Sequence, residues 1–195
     1  MNNKNYKGRL TKTISLIKNP YLRQLCENLV GENGIYREKF LTAPAAKKMH
    51  HAYPGGLVEH SLEIADFCIS DCSVLQKNYT YDLLNLDLLI AASLLHDLGK
   101  IDEYEVVDIW DGNTIYGFTI VEKMIGHLCL SAMWVYAEME KIEGFPADLK
   151  IELSHIILAH HGRIEWGTAK TPHTKEAEFF HMADHRSAII AKKAF

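Results

Sequence analysis

Along most of this chain the apolar residues recur every three or four positions, the period of helices that bury one face. Asn19-Pro20 reads as the N-cap and first residue of a helix running to about Gly31. Gly34 separates it from a short helical piece near residues 35–41, and His50-His51-Ala52-Tyr53-Pro54-Gly55-Gly56 is a turn-rich connector that no helix can cross. Helical spacing resumes from Leu57 to about Cys72. Residues 82–95 are apolar on most faces, as a helix at the centre of a bundle should be. The segment from Tyr104 to Gly117 instead carries β-branched and aromatic residues on both sides of Asp111-Gly112, which predicts a hairpin. A long amphipathic helix is expected from about Thr119 to Lys141, its stripe made by Val121, Met124, Ile125, Leu128, Ala132, Val135 and Met139. Another runs from about Pro146 to His161, and a last one from about Thr174. The opening dozen residues are polar and lysine-rich, so residues 1–18 are expected to be a loose N-terminal arm. The expected fold is all-α, a helical bundle with one small hairpin around residues 104–117.

At 195 residues this is one domain, long enough for a real core. A formal charge of −4 argues against a broad basic surface coating nucleic acid, although a local basic pocket is compatible with it. Cys26, Cys68, Cys72 and Cys129 form no CxxC pair and read as reduced, buried thiols. The start lacks the apolar run of a signal peptide, and no stretch approaches the ~18 apolar residues of a membrane span, so the cytoplasm is the expected compartment. Nothing calls for an obligate protein partner, and a homo-oligomer stays open.

The outlier is histidine, at 11 residues. His60 lies three after Leu57 and four before Ile64, on the apolar face of its helix. Asp184 lies four after Phe180 and four before Ala188, also on an inward stripe. His96 and Asp97 come directly off the most apolar helix, and His160 lies four after Ile156. Taken singly, His60 is a hydrogen-bonded core residue and Asp184 equally an ion-pair partner. Together, converging imidazoles and carboxylates suggest a metal, because a buried carboxylate without compensation costs several kcal/mol. Lys100, one turn after His96, would repel an imidazolium there but suits a neutral, metal-bound ring beside an anionic substrate; otherwise it is a solubilising lysine.

These residues spell LLHDLGK, and the order His60, His96-Asp97, Asp184 resembles the HD superfamily of metal-dependent phosphohydrolases. The chain is similar in particular to the HD domain of the YhaM-type bacterial 3′-5′ exoribonucleases. AAKKMHHAYPGGLVEH, LLHDLGK, the IGH around His127, and HHG with the EA and HMAD after it carry the resemblance, across a metal-binding core of about residues 43–188. It implies an HD-domain bundle over 1–195, with one metal held by His60, His96, Asp97 and Asp184. In dinuclear members a second would share Asp97 and take His127, His160 and His161. Gly126 would allow close packing beside His127, which is otherwise a polar residue flanking an apolar stripe. His50 and His51 match the family before the Gly-Gly turn, where they line the substrate pocket or fix the connector. Family members tend to carry an Asp where this chain has Ser187, a change expected to alter hydrogen bonding around Asp184. The exoribonucleases also carry an OB-type domain, and the residues before Pro44 are too few and too helical to supply one.

The donor set is imidazole and carboxylate, suited to one or two divalent ions of Mn, Fe, Co, Ni or Zn. In the implied reaction a water activated by metal attacks a phosphoester, with Asp97 orienting the nucleophile. Lys100 and Arg163 bind the phosphate, although Arg163 serves equally as a solvated loop residue. The expected function is hydrolysis of a nucleotide or related small phosphoester. The alternative is a 3′-5′ exonuclease on short RNA or single-stranded DNA, which a basic or aromatic channel leading to the metal would favour. Tyr53, Trp110, Tyr116 and Trp166 could stack bases there, or serve in core and hairpin packing. A reading of another class, a non-catalytic HD module that senses a nucleotide, predicts lost ligands. His155, His173, His181 and His185 have no assigned role.

Overall fold

A computed structural model of the protein describes residues 5–47, 51–79, 83–110 and 113–190. His50 and the Asp111-Gly112 turn lie outside the described residues. The order is α1 (Tyr6–Ser15), α2 (Pro20–Val30), α3 (Arg37–Thr42), α4 (Gly56–Asn78) and α5 (Leu86–Leu95), then a 3-10 turn (Leu98–Asp102). The hairpin β1 (Tyr104–Trp110) and β2 (Asn113–Phe118) comes next, then α6 (Ile120–Met124), α7 (His127–Met139), α8 (Ala147–Ala159), a 3-10 turn (Ile164–Trp166) and α9 (Lys175–Ile190). The strands are antiparallel, with Tyr104 opposite Phe118 and a register shift between Val106 and Asp108.

The bundle is organised around α5. Every residue from Leu88 to Leu95 is buried, and α2, α4, α8 and α9 all pack against this helix. A helix apolar on all sides must be surrounded by other elements, and that carries the residues after its C-terminus to the middle of the protein. Those residues are His96 and Asp97. The chain turns there because Gly99 packs against the start of α7, where a Cβ would come within 2.6 Å of the His127 carbonyl oxygen. The Gly99 amide donates to Ser131 Oγ at 2.8 Å, fixing the approach.

Several boundaries reflect local chemistry. Asn19 caps α2 by accepting from the amides of Tyr21 and Leu22, with Pro20 at the first position. Asn85 caps α5 through the Leu88 amide, so the helix begins later than the apolar run suggested. The run from Leu57 extends to Asn78 instead of ending near Cys72.

Three expectations are corrected. Residues 1–18 are not a loose arm over their described part: Asn5 caps α1 by accepting from the Gly8 amide, and Leu10, Ile14 and Ile17 are fully buried in the core. Three apolar residues at helical spacing suffice to anchor a helix whose other face is charged. The helix expected over 119–141 is two helices, broken at Gly126, whose φ of 78° is left-handed. The Glu122 carboxylate accepts from the His127 amide at 3.0 Å and caps α7 at the break, while Met124 and Ile125 are exposed. Cys129 is exposed, unlike the other three cysteines.

Because α1 is part of the core, Leu10→Ala or Ile14→Ala is expected to cost about 2–5 kcal/mol in urea unfolding. An arm that merely fringed the bundle would give no change in midpoint.

Candidate metal centre

Five helices and the turn after α5 aim side chains at one point. His60 comes from the middle of α4, His96 from the end of α5 and Asp97 from the residue after it. His127 opens α7, His160 and His161 close α8, and Asp184 comes from α9. His60 Nε2 lies 3.1 Å from Asp184 Oδ1 and 3.6 Å from Asp97 Oδ2. His96 Nε2 lies 3.2 Å from Asp97 Oδ2 and 3.9 Å from Asp184 Oδ1. The other oxygen, Asp97 Oδ1, faces His160 Nε2 at 3.4 Å and His127 Nε2 at 3.7 Å, and His127 Nε2 is 3.3 Å from His161 Nε2. The structure thus gathers all seven residues, and the two oxygens of Asp97 divide them into two groups.

The outer nitrogens decide what the inner ones offer. Nδ1 of His96, His160 and His161 lies 3.2, 2.7 and 3.0 Å from the carbonyl oxygens of Ser93, Ile157 and Trp166. A carbonyl only accepts, so each Nδ1 carries the proton and each neutral ring turns a bare Nε2 inward. His127 Nδ1 faces the Glu103 carboxylate at 3.0 Å. His60 Nδ1 lies 3.0 Å from Ser187 Oγ, whose own proton goes to Glu63 Oε2 at 2.5 Å, so this ring too donates outward. Four Nε2 lone pairs, those of His60, His96, His160 and His161, therefore turn inward toward two carboxylates, with His127 Nε2 beside them.

Lone pairs against lone pairs at 3.3–3.7 Å repel unless a positive charge lies between them. Among the described residues of the centre, His96 Nε2, Asp97 Oδ1, His127 Nδ1 and Glu103 Oε2 are buried without a hydrogen bond, an arrangement that costs about 1–3 kcal/mol per group when nothing else compensates. His60, His96 and Asp97, and separately His127, His160 and His161, have donor atoms within 4.8 Å of one another. These residues fit a divalent ion in each group, and the absence of thiolate marks the set as suited to catalytic transition metals.

The electrostatics carry the same demand. Burial pushes the Asp97 carboxyl up, but Lys100 and His96 outweigh it and hold the group well below the usual carboxylate range. Asp184 is likewise held down against burial by His60, His160 and His96. Burial lowers His96, yet Asp97 and Asp184 raise it overall. Burial lowers His160, and burial together with His160 and His127 brings His161 to about 3. The Asp97 side of the centre calls for positive charge, and the His160-His161 side keeps neutral rings.

The other residues expected at the site are spread around this cluster. Lys100 Nζ is 2.6 Å from Asp97 Oδ2, mostly buried at the edge of the cluster. His51 is buried with φ 54°, its ring centroid 5.5 Å from that of His60 and its Nε2 3.8 Å from Glu63, on the outer side of the His60 ring. Tyr53 is exposed and donates to Glu59 Oε2 at 2.9 Å. Arg163 is exposed, its guanidinium 4.9 Å from the Trp166 ring centre, and among the described residues no ion pair joins it to the cluster. His181 Nδ1 donates to the His160 carbonyl at 2.8 Å, and His185 stacks on Trp166. Two expectations change: the close-packing glycine beside His127 is Gly99, whereas a Cβ on Gly126 would meet only the Glu122 carboxylate, at an ordinary 4.0 Å, and Ser187 acts on His60 instead of Asp184.

Glu63, Glu103 and Glu122 do not stand out in the sequence as site residues. Glu103 is buried, Glu122 lies 3.9 Å from His127 Nδ1, and burial with Glu103 nearby raises the Glu122 carboxyl. The available signal was acidic residues shortly after LGK and shortly before IGH, but nothing in the chain pairs positions so far apart.

A mostly helical bundle with one hairpin and a cluster of histidines and aspartates that includes an adjacent His-Asp pair is the arrangement of an HD domain. The HD domain family model matches residues 57–189, and the chain belongs to that family. It is 32% identical over 181 residues to a 3′-5′ exoribonuclease YhaM of Bacillus licheniformis, covering 93% of this chain and 52% of that protein. Proteins of the same name from Geobacillus sp. and Bacillus velezensis are each 31% identical over 92% of this chain, covering 51% and 52% of their lengths. The chain therefore spans about half the length of the curated relatives it matches. No solved structure matches it significantly.

Two outcomes test the geometry. Glu103→Gln should weaken metal uptake about 10- to 100-fold in a chelator competition, because His127 loses the negative charge 3.0 Å from its Nδ1, with Glu103→Asp partly restoring it. In chelator-treated protein, His161 titrates near 3 when folded and near 6.5 when unfolded, so the unfolded chain binds the extra proton between those values. Stability should fall as pH is lowered through that window, and urea midpoints of His161→Gln should show a shallower fall.

Proposed function

We propose that the chain hydrolyses phosphoesters of nucleotides in a reaction that depends on one or two divalent transition-metal ions. The observation that carries this reading is the set of four inward Nε2 lone pairs, with the His127 ring beside them, around the buried Asp97 carboxylate. No purely structural role calls for four rings in that tautomer around a buried carboxylate one of whose oxygens, Asp97 Oδ1, has no hydrogen bond. His60, His96, Asp97 and Asp184 would hold one ion, and Asp97, His127, His160 and His161 a second. An ion held there supplies Lewis acidity, screening the charge of a phosphoryl group and lowering the pKa of water.

The protein's own groups do the rest. The outer hydrogen bonds of His60, His96, His160 and His161 hold those rings in their donor orientation without reorganisation during the reaction. Lys100 donates one hydrogen bond to Asp97, and a second N–H of its ammonium can donate to a phosphate oxygen beside it. Its ammonium keeps its proton, because Asp97 and Glu103 outweigh the effect of burial. No serine or cysteine nucleophile is required.

Within this class the reading favoured is cleavage of a phosphodiester at the 3′ end of a short RNA or single-stranded DNA. The support is that the relatives covering over nine-tenths of this chain are named 3′-5′ exoribonucleases. Hydrolysis of a small nucleotide phosphoester uses the same residues. A sensing module that binds nucleotide without cleaving it would be expected to have lost ligands, and the set here is complete.

The test is metal content by elemental mass spectrometry with hydrolysis of a short RNA and of bis(p-nitrophenyl) phosphate. One or two equivalents of metal are expected, lost in His96→Ala and Asp97→Ala, with turnover falling on the order of 1,000-fold or more. Undiminished turnover in Asp97→Ala would sink the proposal, and metal binding without any hydrolysis would favour the sensing module.

A further inference from the structure

Two clefts meet the metal centre from opposite oxygens of Asp97. One, of about 330 Å³, lies between the hairpin and the segment leading from α3 to α4, lined among others by Lys39, Thr42, Pro54, Tyr104 and Tyr116. Lys100 also lines it and touches Asp97 Oδ2. The other, of about 290 Å³, is lined by Ile125, Leu128, Ala169, His127 and His161, and His127 faces Asp97 Oδ1. Each is at the small end of the ~300–1,000 Å³ range of ligand pockets, room for about one nucleoside.

Their charge differs. The first cleft carries Lys39 and Lys100, and Lys47 sits beside its hairpin wall with Nζ 4.7 Å from the centre of the Phe118 ring, itself 5.7 Å from that of Tyr104. Among its described lining residues the second cleft has no lysine or arginine, and it includes Glu122. In a chain of net charge −4, Lys39, Lys47 and Lys100 beside Tyr104 and the exposed Phe118 form a local basic and aromatic surface, Tyr116 itself being buried in the hairpin wall. Aromatic faces with flanking cations are how single strands are held without base readout.

We infer that the substrate is a phosphodiester occupying both clefts, with the terminal nucleoside in the cleft that lacks lysine and arginine and the adjoining nucleotide, with its own phosphate, in the cleft of Lys39 and Tyr104. This rests on the phosphohydrolase reading and adds to it a binding site for the phosphate next to the scissile one. Lys39 is the residue that recognises it. Its present partner is Asp102, at 2.9 Å in an exposed pair, which is weak and readily exchanged for a phosphate. Lys100 is reserved for the scissile group by its contact with Asp97. A monoester would fill one cleft and leave Lys39 unused.

The experiment compares binding of a trinucleotide with that of a dinucleoside monophosphate, both with phosphorothioate linkages to slow cleavage, to metal-loaded protein. Both ligands reach the two clefts, and only the first has the adjoining phosphate. The trinucleotide should bind about tenfold tighter, the scale of one charge-assisted contact. Lys39→Ala should remove that advantage and reduce the dependence of log affinity on log salt by about 0.7, with Lys39→Arg retaining both and metal content unchanged in each variant. Equal binding of the two ligands by the wild-type protein, or a trinucleotide advantage that survives Lys39→Ala, overturns the inference while leaving the hydrolase reading intact. Protein that takes up no metal overturns that reading and this one with it.

Discussion

Asp97 is a carboxylate taken out of water and kept ionised, and most of the molecule can be understood as the arrangement that makes this tolerable. Desolvation alone would neutralise it. Lys100 at 2.6 Å and the imidazoles on both its oxygens hold the proton off instead. The carboxylate is buried because it comes directly after α5, whose eight consecutive buried residues can be satisfied only at the middle of the bundle. The hydrophobic effect thus places the charge, and the charge then dictates what its neighbours must be.

The supporting groups differ between the two sides. His96, His160 and His161 lean on backbone carbonyls, which hold them as rigidly as the helix ends they come from. His60 and His127 lean on carboxylates, through Ser187 to Glu63 in one case and directly on Glu103 in the other. Each half of the centre therefore has one ring whose outer side faces a carboxylate, directly or through a hydroxyl, where the other rings face a carbonyl. Ser187 serves this purpose with a hydroxyl because Glu63 is within reach to accept its proton.

The elements around the centre are also what give access to it. The hairpin and the connector before α4 wall one cleft, and the left-handed break at Gly126 opens the other by starting α7 at His127. A single helix from Thr119 to Lys141 would have carried its apolar stripe across that opening. Breaking it exposes Met124 and Ile125 and sets His127 at a helix start, capped by Glu122.

Much of this was legible in the chain. Helical period marked α2, α4, α5 and α9, Asn19-Pro20 marked a start, and residue types on both sides of Asp111-Gly112 marked the hairpin. The same period put His60 and Asp184 on inward faces and left His96-Asp97 at the end of the most apolar helix, because which face a residue occupies is a local matter of about 100° per position. The burial of α1 was hidden by a charged surface around only three apolar anchors. The break at Gly126 was hidden because glycine is permitted within a helix and required only where the path of the chain demands a positive φ. Glu103 behind His127, Glu63 behind Ser187, the close approach at Gly99 and the two clefts belong to the tertiary structure alone. Each depends on how helices far apart in sequence settle against one another, which is decided by the packing of the whole core and by no segment of it.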